Sequence, residues 1–332
     1  MVRLVKVARS DLTIIRQRRG KGFCYFDSTG ALVVDPAIKS RVQALGIPPA
    51  WKDVRVSAKP NGHIQAVGKD EAGREQYVYH ADWELRREGK KVKRLSLMTA
   101  VLPRLRKQVQ QDLLAPAGGR ELALAIGVAL IDRTAMRVGR EKYLEANGTR
   151  GAGTLFSRDV RVSGDDVVIA FDAKGGKRAE YGFTDAGLAQ AIARIKTIPG
   201  KRLLVFRNAE GAIKPIKTSA LNAYMREVTG IEISAKDFRT LRASSLAAES
   251  LAKLDAGKSA SARKRQMAQV AREVSEVLKN TPAICRKSYI TPCLFKLFDE
   301  GKLQDLWSSA GPGRAGLLQR EKRLAAVLAS VS

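Results

Sequence analysis

The runs Val160-Arg-Val162, Val167-Val-Ile-Ala-Phe171 and Glu180-Tyr-Gly-Phe183 decide the fold class. Each is short and apolar, and the turns Ser163-Gly-Asp165 and Ala173-Lys-Gly-Gly-Lys177 separate them. Runs of this length joined at Gly-containing turns read as three strands of a small sheet. On both sides of them the period changes. Upstream, 97–114 and 121–136 carry apolar residues at helical spacing on either side of Gly118-Gly119. Downstream, helical patterns cover 185–196, 218–229, 240–253 and 259–278, the last with Met267, Val270, Ala271, Val274 and Leu278 on one face. After Gly311-Pro-Gly313 a final amphipathic helix is expected over 317–328. A small sheet thus interrupts a helical domain.

Further out, Phe23 to Tyr79 alternates short apolar runs with Asp27-Ser-Thr-Gly30, Pro48-Pro49, Lys59-Pro-Asn-Gly62 and Glu71-Ala-Gly73, the punctuation of a small β domain. The charged segment Arg86-Arg-Glu-Gly-Lys-Lys-Val-Lys-Arg94 reads equally as a linker or a solvated helix end, and the boundary is placed there. The expectation is an α+β protein: a small, mostly-β N-terminal domain over 1–88, and a larger, mainly-α domain over 89–332 holding a three-stranded sheet.

Sixty Lys and Arg stand against 33 Asp and Glu, a net charge of +27 spread over both domains, which points to a polyanion such as nucleic acid. No signal peptide opens the sequence and no apolar run approaches the ~20 residues that span a bilayer, so a soluble, cytoplasmic protein without membrane partners is expected. Cys24, Cys285 and Cys293 lack CxxC pairing and read as packing residues in a reducing compartment. His63 and His80 lack HExxH spacing, and Walker A and GxGxxG signatures are absent, so neither a metal nor a cofactor is expected.

Four segments place cationic or polar residues where element ends or turns are expected. They are Ile131-Asp-Arg-Thr-Ala-Met-Arg137-Val-Gly-Arg140-Glu-Lys-Tyr143 with the following Asn147-Gly-Thr149-Arg-Gly151-Ala-Gly-Thr154; Phe171-Asp-Ala-Lys174-Gly-Gly-Lys177; Lys236-Asp-Phe-Arg239-Thr-Leu-Arg242; and Asn280-Thr-Pro-Ala-Ile-Cys-Arg-Lys-Ser-Tyr289. Each alone has an ordinary reading. Arg137 would be a charge at a helix end, Lys174 an exposed turn lysine, Arg239 a loop-to-helix arginine, Asn280 a helix C-cap and Tyr289 a core aromatic.

Together and in this order they resemble the type IB DNA topoisomerases of the small poxviral and bacterial kind, a likeness that runs from Tyr77-Val-Tyr79 to Tyr289. The resemblance implies a catalytic set of Arg137, Lys174, Arg239, Asn280 and Tyr289, and a nucleoid-associated bacterial enzyme. Its chemistry is intelligible. A phosphodiester attacked by a phenol passes through a crowded dianionic state that needs preorganised donors, and two arginines supply planar forks matched to phosphate oxygens. Lys174 would act as general acid, with Lys177 a competitor in the same turn. Where animal and viral members carry histidine this chain has Asn280, which can donate a hydrogen bond but cannot transfer a proton at neutral pH.

The resemblance also places Gln76, Tyr77 and Tyr79 against the DNA major groove, Tyr77 and Tyr79 sharing one face of a strand. Arg140, Lys142 and Tyr143 on the helix after Arg137, and Lys236 near Arg239, would contact DNA likewise. A monomer clamping one duplex, without ATP, is implied. Tyrosine recombinases use a similar residue set but exchange strands between two duplexes; a basic DNA-binding protein without the reaction is the non-enzymatic rival.

Overall fold

Short apolar runs separated by turns build the first part of the chain into one antiparallel sheet. The computed structural model describes residues 2–173, 178–311 and 316–331, and these divide into two compact units, 1–90 and 91–332. In the first unit, β1 (Ile14–Arg19), β2 (Gly22–Phe26), β3 (Lys52–Val56), β4 (Ile64–Lys69) and β5 (Glu75–Tyr79) pair in the order β2-β1-β3-β4-β5. Strand β1 precedes the region read as β-rich from sequence. Its Arg16, Arg18 and Arg19 mask the apolar signal, and buried Arg16 is satisfied by the carbonyls of Pro48 and Trp51. Helix α1 (Pro36–Ala44) starts at Asp35, whose carboxylate accepts the Ala37 amide, with Pro36 in the first turn. Ile14, Val42, Val54, Val56 and Ala66 form the core.

The segment 86–94 is not a linker. It lies inside α2 (Ala81–Asp112), a helix within which the boundary between the two units falls. Val92 and Leu95 are buried, and Arg94 pairs with the buried carboxylate of Asp237 at 2.8 Å. The charged composition hid a helix in which Lys91 and Arg94 are engaged by the Ser288 carbonyl and the Asp237 carboxylate.

In the second unit α3 (Arg120–Thr134) is apolar nearly all round and runs through the core. After α4 (Glu141–Asn147), strands β6 (Val160–Ser163), β7 (Asp166–Asp172) and β8 (Arg178–Thr184) form the expected antiparallel sheet in the order β6-β7-β8. Helix α5 (Ala186–Ile195) follows. A hairpin of β9 (Val205–Arg207) and β10 (Ile213–Pro215) comes next, too short to leave a periodic signal. Helices α6 (Thr218–Thr229), α7 (Ala235–Ala252) and α8 (Ala260–Val277) lead to a short turn α9 (Pro282–Ile284). Then come α10 (Pro292–Asp299), α11 (Leu303–Ser308) and α12 (Leu317–Ala329). No helix among the described residues is long and apolar enough to cross a membrane.

Candidate active site

The site is built where two helices end against the flank of a third. Helix α7 begins five residues before the expected position, at a Ser-x-x-Asp signature in which the Ser234 amide and hydroxyl both donate to Asp237 at 2.9 Å. Arg239 therefore stands inside a helix and is almost wholly buried, rather than at a loop-to-helix junction. Its two terminal nitrogens donate to the Ala135 carbonyl at 2.5 Å and the Leu278 carbonyl at 2.8 Å. Those are the cap residues of α3 and α8, so one guanidinium satisfies carbonyls orphaned at two helix ends, where the helix dipoles favour a cation.

Both ends turn sharply. Ala135 and Lys279 adopt left-handed backbone conformations, φ 51° and 49°, which L-residues seldom enter. At the end of α8 the Lys279 amide donates to Glu276 and the Asn280 amide to Ser275, the bond pattern of a Schellman motif. The left-handed cap is thus Lys279, not Asn280. Asn280 is half-buried one position further on, with its side-chain oxygen accepting the Thr281 amide at 3.0 Å, which leaves its NH2 as the donor end.

Arg137 follows α3 in an extended loop clamped by a second one: the Ala152 amide donates to the Arg137 carbonyl at 2.9 Å and the Gly153 amide to Val138 at 2.7 Å. The approach is so close that a Cβ on Gly151 would lie 2.3 Å from the Arg137 carbonyl oxygen, and Gly139 has φ 77°. These glycines fix the Arg137 backbone. The guanidinium reaches the Lys279 carbonyl at 3.4 and 3.5 Å.

Tyr289 ends a widened, π-helical turn, Cys285–Tyr289, closed by the Ile290 amide on the Cys285 carbonyl at 2.9 Å. Such turns recur at functional sites. The half-buried Tyr289 ring lies over the Arg239 guanidinium, 4.9 Å from ring centre to guanidinium carbon. The structure thus brings Arg239 and Tyr289 into contact and sets Arg137 and Asn280 around the same helix end. Lys174, with its competitor Lys177, lies outside the described residues.

Two further groups sit here that motif reading did not single out. Tyr181 on β8 stacks on Phe171 with centroids 6.3 Å apart, and Cys285 is fully buried. Burial pushes both the phenol and the thiol up, against the pull of Arg239 and Arg137. Burial and the neighbouring Arg239 charge push the Arg137 guanidinium down. Among the described residues both arginines bond only neutral carbonyls, so their positive charge is not cancelled within the fold. Tyr181 could have been found from its place in the third expected strand; Cys285 carries no signal of its own.

The remaining candidates lie on the surface of their own units. Lys236, Arg140, Lys142 and Tyr143 are exposed, with the Lys142 ammonium 5.1 Å from the centre of the Tyr143 ring. In the first unit Tyr77 and Tyr79 share a face of edge strand β5 and stack at 5.9 Å, as the alternation requires. Gln76 points to the opposite face and donates to Asp70 at 3.0 Å, so it does not join the two tyrosines. Among the described residues no cluster of His, Cys, Asp and Glu is arranged to hold a metal.

Comparison with known proteins places this basic α+β chain among enzymes that act on DNA. Residues 80–295 match the family model described as eukaryotic DNA topoisomerase I, catalytic core, and residues 22–70 match bacterial DNA topoisomerase IB, N-terminal domain. The chain belongs to the type IB DNA topoisomerase family. It is similar to the DNA topoisomerase 1B of Acanthamoeba polyphaga mimivirus, 28% identical over 292 residues that cover 86% of this chain and 87% of the relative. It is also similar to the DNA topoisomerase 1B of Vaccinia virus (strain Copenhagen), 28% identical over 108 residues, 32% of this chain and 34% of that one.

Proposed function

We propose that this topoisomerase relaxes supercoiled duplex DNA through a covalent intermediate on Tyr289, without ATP or metal. The Tyr289 oxygen attacks a backbone phosphorus, the bond from phosphorus to the 5′-oxygen breaks, and a 3′-phosphotyrosyl link and a free 5′-hydroxyl result. The phenolic proton passes to solvent water, and the Lys174 ammonium donates one to the departing 5′-oxygen. Arg137 and Arg239 hold the nonbridging oxygens, and Asn280 donates a hydrogen bond without moving a proton. Because the link stores the energy of the broken phosphodiester, attack by the 5′-hydroxyl after strand rotation rejoins the DNA and frees Tyr289. The observation that carries this reading is the Tyr289 ring against Arg239 in a site whose arginine charges are uncancelled.

Tyr77, Tyr79, Arg140, Lys142, Tyr143 and Lys236 would touch the duplex, with Gln76 required to leave Asp70 first, and one chain would serve one duplex. The test is supercoiled plasmid in EDTA without ATP. Wild type should relax it, and Tyr289→Phe should bind duplex equally but leave it supercoiled; relaxation by that variant would sink the nucleophile assignment. If ~6–10 phosphates are neutralised, affinity should fall ~10³–10⁵-fold between about 50 and 200 mM salt.

A further inference from the structure

We infer that Ser244 and Thr291 are positioning residues that fasten the nucleophile turn to the helix carrying Arg239. The inference rests on Tyr289 being the nucleophile. Ser244 lies on α7 beyond Arg239, and both it and Thr291 are fully buried. The Ser244 hydroxyl donates to the Tyr289 carbonyl at 3.2 Å and accepts the Thr291 amide at 3.1 Å. Its oxygen lies 2.9 Å from the Thr291 hydroxyl. A hydroxyl has one proton and two lone pairs. With its proton on Tyr289, Ser244 must accept from the Thr291 hydroxyl as well, so its whole capacity is used and the network has one direction.

Ile290, between the two bracketed residues, is extended at φ −73°, ψ 132°, so Ser244 engages the Tyr289 carbonyl and the Thr291 amide as a neighbouring strand would. Thr291 shows that the arrangement is specific. It is the N-cap of α10, where a threonine hydroxyl ordinarily satisfies a helix amide, yet it makes no cap bond and turns to Ser244 instead. One residue earlier, the Ser288 carbonyl accepts from Lys91 of α2 at 2.9 Å. The chain at Tyr289 is therefore tied to α7, so that Tyr289 and Arg239 keep a fixed separation before DNA arrives.

The experiment is single-turnover cleavage on a duplex, alongside duplex Kd and thermal melting. Ser244→Ala should slow cleavage on the order of 100-fold, the scale of an ångström-sized misplacement of a reacting group, with Kd unchanged. The loss should persist on a substrate whose 5′-leaving atom is sulfur, which needs no protonation and so isolates the nucleophile from the general acid. Thr291→Ser should keep the wild-type rate, whereas Thr291→Val, similar in shape without the hydroxyl, should lose about as much as Ser244→Ala. If Ser244→Ala does not fold, the Thr291 pair reads the same question. Wild-type cleavage by Thr291→Val or by folded Ser244→Ala overturns the inference, as does a loss in Kd alone or a loss erased by the sulfur substrate. If instead Tyr289→Phe cleaves, the proposed function fails, whatever Ser244 does.

Discussion

Arg106 and Arg239 are both largely withdrawn from solvent in the second unit, and they are satisfied in opposite ways. Arg106 of α2 meets the carboxylates of Asp132 and Glu321, each at 2.8 Å. Burial opposes its charge, but the hydrogen bonds of those carboxylates hold the guanidinium above its ordinary value. Among the described residues Arg239 donates only to backbone carbonyls and otherwise lies against the Tyr289 ring, with no carboxylate partner. The first arginine brings its counter-charge with it and ties α2, α3 and α12 together. The second holds two helix ends and keeps its charge. A buried cation without a carboxylate is costly, and under the proposed function a DNA phosphate would supply the missing counter-charge.

The largest effect on stability should come from breaking the neutralised pair. Arg106→Ala leaves the buried Glu321 and the half-buried Asp132 carboxylates without their cation and should cost about 3–5 kcal/mol in urea unfolding. Cleavage per folded molecule should stay within a few-fold of wild type. A small stability loss, or a large rate loss with the fold intact, would erase the distinction between the two arginines. Arg239→Lys tests the other side: it keeps the charge but not the fork. Single-turnover cleavage should fall about 10²–10³-fold, the scale of losing one preorganised donor, with duplex binding retained. A rate near wild type would show that charge alone suffices.

The same contrast separates what could be read from the sequence from what could not. The three strands around Val167 and the helical patterns were legible because side-chain periodicity is local, while the resemblance singled out Arg137, Arg239, Asn280 and Tyr289, which the fold gathers around one helix end. What escaped depends on partners distant in sequence. The start of α7 was obscured by the polar run at Lys236, although Ser234 and Asp237 signal it. The charges of segment 86–94 looked like solvated surface because the partners, Asp237 for Arg94 and the Ser288 carbonyl for Lys91, lie more than a hundred residues away. Ser244 reads as one more small residue in an alanine-rich helix. Only the fold shows that it faces Tyr289.

Charge at the site can also be cancelled from within. If Cys285 or Tyr181 ionised, it would do for Arg137 and Arg239 what Asp132 does for Arg106. Burial holds both above their ordinary values of 9.0 and 10.0, despite the opposing arginines. The sign follows: the folded protein keeps these protons longer than the unfolded chain, so their contribution to stability is full below pH 9.0 and is lost as pH rises through the folded values. Thermal melting should therefore fall more steeply with alkali in wild type than in Cys285→Ala/Tyr181→Phe, by about 2–4 °C at the alkaline end. Parallel curves would mean that neither group is held neutral by the fold.

The smallest effect concerns the geometry that presents carbonyls to these arginines. Lys279 occupies the left-handed region at φ 49° and offers its carbonyl to Arg137, while its side chain is exposed. A glycine there would relieve roughly 1–2 kcal/mol of backbone strain, offset by the greater freedom of the unfolded chain, for a net gain of about 0.5–1 kcal/mol. Lys279→Gly should therefore unfold at slightly higher urea. If the strained lysine serves only to cap α8, cleavage will be unchanged. If its backbone must be stiff to hold Arg137, cleavage will slow even as stability rises, because glycine widens the range of positions open to the Lys279 carbonyl. That outcome would extend the contrast with Arg106 from side-chain charge to the backbone that aims it.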